Sequence, residues 1–162
     1  MNKFPRSAYV HIPFCHRRCF YCDFAVIPLG NKVETLQGYG SKTVKEYLYF
    51  LCKEILSIKH KSPLSTIYVG GGTPSILDPQ QIKELIDLFK ENYGVDYGAE
   101  ITMEVDPASF NQEDLYGFIN AGINRFSLGV QSFNNQVLQK SGRRHLREDA
   151  EKSCLWLKRV YD

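Results

Sequence analysis

What the sequence lacks narrows its chemistry first. None of its apolar runs reaches the roughly eighteen consecutive residues that a membrane-spanning helix needs, and MNKFPRSAYV has no apolar core of the kind a secretory leader carries. The expected compartment is therefore the cytoplasm. Charge of one sign is missing too: twenty basic and eighteen acidic residues are mixed along the chain and leave a net charge of +2, so no electrostatic footprint for nucleic acid exists. The group Arg143, Arg144 and Arg147 is followed at once by Glu148, Asp149 and Glu151, which reads as a solvated helix start. No low-complexity tract or linker divides the chain, and 162 residues, 43% of them hydrophobic, suffice for one modest core but not for two full domains. Cysteine is scarce and odd in number, five in all. A reducing compartment and an odd count both argue against a disulfide framework, and leave metal binding or catalysis for any cysteines that cluster.

What is there is a regular alternation. SAYVHI at 7–12 and the run Thr66 to Val69 are short and β-prone; Ile101, Met103 and Val105 alternate with Thr102 and Glu104, and Phe126, Leu128 and Val130 with Ser127 and Gly129. Between these four predicted strands lie helical patterns. Val44, Tyr47, Leu48, Leu51, Ile55 and Ile58 recur at helical spacing behind a Thr43/Glu46 capping box. A second helix starts at Asp78-Pro79 with Gln81 and stops near Gly94; a third runs from about Asn111 to Gly122, and the tail carrying Leu155, Leu157 and Val160 forms a fourth. Strand-helix alternation predicts right-handed βαβ units around a parallel sheet, either doubly wound or a (βα) barrel, and both place their chemistry in loops after the carboxyl ends of strands.

Each unusual motif falls in such a loop. FCHRRCFYCDF follows the first strand and packs three cysteines into eight positions. GGGTPS at 70–75 follows the second, where glycines let the backbone approach a ligand closely. Glu104 of EVDP ends the third strand, Gln131 the fourth, and Arg143 lies beyond it. Alone, GGGTPS matches neither the Rossmann nor the P-loop spacing, and Glu104, Gln131 or Arg143 taken singly reads as a surface residue. Cys52, beside Leu48, Leu51 and Ile55, reads as a small buried hydrophobe, and so does Cys154, next to Leu155 and Trp156.

Three clustered cysteines admit two metal chemistries. Structural zinc takes four protein ligands, so a zinc module would need His11 or His16 to complete it. A 4Fe-4S cube normally takes one thiolate per iron; three thiolates leave one iron open to a substrate or cofactor, which suits the number three better. The spacing C-x3-C-x2-C of Cys15, Cys19 and Cys22 resembles that of radical S-adenosylmethionine proteins. AYVHIPFC, the Asp23-Phe24 pair after the third cysteine, GGGTPS, EVDP, RFSLGVQSF and SGRRH together are similar to their oxygen-independent coproporphyrinogen III oxidase-like branch, over most of residues 8–145.

That resemblance implies a fold of about four βα units of an incomplete parallel (βα) barrel. It implies a 4Fe-4S cluster on Cys15, Cys19 and Cys22, with S-adenosylmethionine on the open iron. Tyr9 and Tyr21 would lie beside the cluster and cofactor. Gly71, Gly72 and Thr73 would meet the cofactor's amino-acid portion, and Glu104, Gln131 and Arg143 its polar groups. An electron from the cube breaks a carbon–sulfur bond of the cofactor and releases a 5′-deoxyadenosyl radical, so no side chain is assigned a catalytic role. Two functions compete within the branch: an oxidase that decarboxylates coproporphyrinogen III, and a heme chaperone. Oxidases typically carry another cysteine two residues after the third, where Phe24 stands here, so the heme chaperone subgroup is the expectation. Heme or a porphyrinogen, a low-potential electron donor and a heme acceptor are the implied partners. Members of the branch run to well over twice this length, and residues 1–162 are expected to be the amino-terminal part of a radical S-adenosylmethionine core, without the carboxyl-terminal domain.

Overall fold

A computed structural model of the chain describes residues 5–30, 42–58 and 62–161. Its centre is a four-stranded, all-parallel sheet in the order β1-β4-β5-β6, made of Ser7–Ile12, Leu64–Gly71, Val95–Val105 and Arg125–Leu128. Helices α1 (Lys42–Ser57), α2 (Pro79–Tyr93) and α3 (Gln112–Asn120) connect the strands, and α4 (Asn135–Lys140) and α5 (Arg147–Tyr161) follow β6. The predicted incomplete (βα) barrel is thus present as an open, consecutive parallel sheet. A two-residue ladder, β2 (Phe14–Cys15) on β3 (Ile27–Pro28), brackets the cysteine loop.

The registers sort the side chains by face. Val10 lies opposite Val69 and Val69 opposite Met103; with Ile12, Ile67, Ile101 and Val105 they form an apolar face. The helices cover it with Val44, Ile55, Ile82, Leu85, Ile86, Phe89, Leu115 and Phe118, all buried. Burying a side chain of this size contributes about 1.5–3 kcal/mol. The other face carries Tyr9 opposite Tyr68, Tyr68 opposite Thr102, and Glu104 opposite Ser127. Parallel strands covered on both sides are apolar throughout; here the period-2 alternation instead separates a helix-covered face from a more polar one.

Local sequence explains the helix ends. Asp78 caps α2 with Gln81 in a capping box, Pro79 occupies the first turn, and Gly94 at φ 76° ends it. Asn111 caps α3 the same way with Asp114. After α3, Gly122 N–H donates to Ile119 O and Ile123 N–H to Phe118 O; after α4, Gly142 donates to Gln139 O and Arg143 to Leu138 O. Both are Schellman terminations with a positive-φ glycine.

Five details depart from the sequence-based expectation, the first being that β6 ends at Leu128, so that Val130 and Gln131 lie beyond it, where Val130 N–H turns back to Leu128 O. Helix α1 begins at Lys42, so Thr43 lies inside its first turn rather than capping it, and Ile58 lies past its end, exposed. Strand β5 begins six residues earlier than its alternating stretch, directly after Gly94. Helix α4 was not anticipated, being short and capped by Asn134 in a polar stretch. Cys52 is half-buried against the core as expected, but Cys154 is exposed, because α5 turns Ala150, Ser153 and Trp156 inward instead.

Candidate functional site

The carboxyl ends of β1, β4, β5 and β6 open onto one cavity of about 430 Å³. All of the residues that the resemblance assigns to the cluster and cofactor line it except Tyr9. Tyr9 sits on β1 with its ring stacked on that of Tyr68 at 6.0 Å and its hydroxyl 3.1 Å from His11 Nδ1. Tyr68 in turn donates to Glu104, so Tyr9 stands one side chain away from the cavity wall.

The cysteine loop is tied down at both ends. Ile27 N–H donates to Pro13 O and Leu29 N–H to Cys15 O. Farther out, Arg17 donates from Nε to Gly142 O (2.9 Å) and from Nη2 to Arg143 O (2.6 Å), and Phe20 N–H donates to Ser141 O (3.0 Å). The loop is therefore clamped to the turn that follows α4. Within it Cys15 is buried and Cys19 and Cys22 are half-buried. Burial pushes the Cys15 thiol above its ordinary pKa and negative charge on Cys22, Cys19 and Asp106 adds to this, while the Thr73 hydroxyl, 3.5 Å from its sulfur, opposes the shift.

The glycine run works mainly by close approach of one stretch of protein to another. A Cβ on Gly72 would lie 2.6 Å from Phe14 O and 2.9 Å from Cys15 Sγ, and one on Gly71, at φ 114°, would meet the His11 ring at 2.7 Å. The loop's N–H groups are spent inside the protein: Gly71 donates to Glu104 Oε2 (3.1 Å), Gly72 to Ile12 O (2.8 Å) and Thr73 to Phe14 O (2.8 Å). Glu104 is thereby held from two sides, since Tyr68 donates to Oε1 at 2.8 Å. Burial, then the bond to Glu104, pushes the Tyr68 hydroxyl above its usual pKa and keeps it a donor.

Arg143 is nearly buried, its side chain 11% exposed. Its guanidinium pairs with Asp106 and donates to Gly129 O at 2.7 Å and to His145 Nδ1, with Nη1 4.0 Å from Cys19 Sγ. Asp106 and His145 were missed in the sequence although both stand in quoted motifs, EVDP and SGRRH. Burial of Tyr21 raises its hydroxyl pKa, with the charge of Arg143 opposing that. Gln131, exposed at the rim, is the one described non-glycine residue with positive φ, 60°, a strained conformation of the kind that concentrates at ligand sites.

A cluster fits the residues present. Three soft thiolates suit iron–sulfur or zinc, and they share a cavity in which the missing side chain of Gly72 leaves room beside Cys15 Sγ. For single-ion zinc, the two histidines offered as a fourth ligand are engaged elsewhere. His11 Nε2 donates to Ala25 O (3.1 Å), its Nδ1 faces Tyr9, and His16 Nδ1 faces Arg144. Among the described residues no three His, Cys, Asp or Glu side chains converge tightly enough to hold one ion. Nor is any described helix long and apolar enough to cross a membrane.

Fold and site define an α/β protein of the open-barrel class with a cysteine-lined cavity at the carboxyl rim of its sheet. Residues 9–162 match the Radical SAM superfamily, and the chain belongs to that family. It is 43% identical over 150 residues to the heme chaperone HemW of Synechocystis sp., covering 92% of this chain and 35% of that protein. It is 40% identical over 139 residues to the oxygen-independent coproporphyrinogen III oxidase of Salmonella typhimurium, covering 82% of this chain and 28% of that one. Among solved structures, the coproporphyrinogen III oxidase HemN of Escherichia coli, described as a Radical SAM enzyme, superposes with a TM-score of 0.80 at 33% identity, over 96% of this chain and 35% of that chain. The chain thus spans about a third of the length of the relatives it matches.

Proposed function

We propose that Cys15, Cys19 and Cys22 each hold one iron of a 4Fe-4S cluster, that S-adenosylmethionine takes the fourth, and that the protein acts as a heme chaperone. The observation that carries the first part is that three clustered thiols, Glu104 and the Gly71–Thr73 turn face one cavity at the carboxyl rim of the sheet. Cluster and S-adenosylmethionine together supply one-electron chemistry that side chains cannot. The chain's own residues bind and orient. Binding as thiolates requires the three thiols to give up their protons, which burial makes harder at Cys15. Glu104, fixed by Tyr68 and Gly71 N–H, keeps acceptor capacity for an amino or ribose donor. Gln131 presents its amide at the rim, and Arg143 supplies positive charge beside the cluster. The share of each relative that is matched suits an amino-terminal portion of a radical SAM core.

Phe24 tilts the reading from oxidase to chaperone: it lines the cavity where an oxidase is expected to carry another cysteine. Phe20, Tyr21 and Phe24, 81%, 53% and 60% exposed, offer aromatic surface on the cysteine loop that suits a flat macrocycle such as heme. The similarity to the Salmonella typhimurium oxidase keeps propionate decarboxylation as the second reading. Anaerobically reconstituted full chain, titrated with heme and separately reduced in the presence of coproporphyrinogen III and S-adenosylmethionine, tests both. A Soret shift without loss of carbon dioxide is the expected outcome. Decarboxylation would favour the oxidase, and the absence of both responses would overturn the heme-related reading.

A further inference from the structure

We propose that His145 is a positioning residue: it holds the Arg143 guanidinium so that one N–H end faces the Cys19 sulfur, and thereby sets the reduction potential of the cluster. The inference rests on the cluster reading above and goes beyond it, because neither His145 nor a contact from protein to cluster sulfur is part of that reading.

His145 is fully buried and Arg143 nearly so, and groups of this kind persist only when their bonds are satisfied. The Val130 carbonyl can only accept, so His145 Nε2, 3.0 Å away, carries the ring hydrogen, and Nδ1 presents a lone pair. Onto that lone pair Arg143 donates from Nε at 3.3 Å and from Nη2 at 3.2 Å, a two-pronged grip along one edge of the guanidinium. Gly129 O and Asp106 take the rest of Nη2. With that edge fixed, the opposite end, Nη1, is the one turned toward Cys19 Sγ at 4.0 Å.

The other side of the contact is fixed independently. The Schellman turn at Gly142 delivers Arg143, and Arg17 and Phe20, on either side of Cys19, bond the backbone of that turn. Sulfur and guanidinium are therefore held in register by the same short segment. A cationic N–H at a cluster thiolate stabilises the state with the extra electron, which is one charge more negative, and so raises the potential; hydrogen bonds to the sulfurs are an established lever on it. Freed from His145, the guanidinium would lose its aim, and the potential would fall.

The test is the midpoint potential of the anaerobically reconstituted full chain, followed by electron paramagnetic resonance, for wild type, His145→Phe, His145→Asn and Arg143→Lys. His145→Phe keeps volume but removes the acceptor, and should lower the one-electron reduction equilibrium about tenfold, which is about 59 mV. His145→Asn returns an acceptor oxygen to the place of Nδ1 and should recover most of that loss. Arg143→Lys keeps the charge but not the fork, and should shift the potential in the same downward direction; it decides alone if His145→Phe fails to hold a cluster. Unchanged potentials in His145→Phe and Arg143→Lys at full iron and sulfide content would overturn the inference while leaving the cluster reading intact. A wild-type chain that assembles no iron–sulfur cluster would overturn that reading, and this inference with it.

Discussion

The same four strands present two faces, and different physics holds each. On one, Val10, Ile67, Ile101 and Met103 are closed off by three helices and held by apolar burial, which is non-directional. On the other, Tyr9 meets His11, Tyr68 meets Glu104, and Thr102 bonds Glu100 and Arg125, so hydrogen bonds with direction set the arrangement. Moreover, the polar face is not uniform along its length. At its amino end the Arg125–Glu100 pair is more than half exposed at both side chains; at its carboxyl end Arg143–Asp106 is mostly buried against the cysteine loop. The covered face specifies the fold, and the carboxyl end of the open face combines burial with convergent donors beside the three thiols, the combination a site requires.

Substitutions that separate the two faces test this division, beginning with the largest effect on stability. Met103→Ala, at a fully buried position of the covered face, should cost about 3 kcal/mol of unfolding free energy, read by denaturant titration, while iron content at saturation stays as in wild type. Gly72→Ala should cost less, about 2 kcal/mol from forced displacement of the Phe14 carbonyl, yet abolish iron retention, because the new methyl group presses on Cys15. Tyr68→Phe removes the donor to Glu104 and should cost about 1 kcal/mol, with a several-fold loss of S-adenosylmethionine affinity by calorimetry. Glu100→Gln keeps an acceptor for the Thr102 hydroxyl and loses only the charge pairing with Arg125, and should change stability by less than about 0.5 kcal/mol. A loss of iron in Met103→Ala as complete as in Gly72→Ala would erase the distinction between the faces.

Much of this was legible in the sequence because it is periodic. Ile101, Met103 and Val105 alternate with Thr102 and Glu104, and that alternation located both β5 and the sides to which it turns its residues. Asp78-Pro79 and Gly94 fixed α2 for reasons local to its ends. Cys15, Cys19, Cys22, Glu104 and Arg143 announced themselves by spacing or by position after a strand, and the structure brings them to one cavity. The rest depended on contacts distant in the chain. Asp106 reaches Arg143 from 37 residues away, and His145, two residues beyond Arg143, turns back onto the same guanidinium, a buried contact that periodicity does not encode. The glycines of GGGTPS suggested room for a ligand, but Gly72 also makes room for Phe14 and Cys15, a packing fact that only the register of β1 against β4 reveals. Cys154 misled for a simpler reason: its apolar neighbours Leu155 and Trp156 lie on different sides of α5, and Leu155 is itself exposed.

The central claim is that three thiolates hold three corners of an iron–sulfur cube. Iron, sulfide and zinc content of the anaerobically reconstituted full chain, compared with the Cys15→Ala, Cys19→Ala and Cys22→Ala triple variant, measures it directly. About four irons and four sulfides per wild-type chain, and none in the triple variant, is the predicted result. Zinc without iron, or iron retained after all three cysteines are removed, would contradict it.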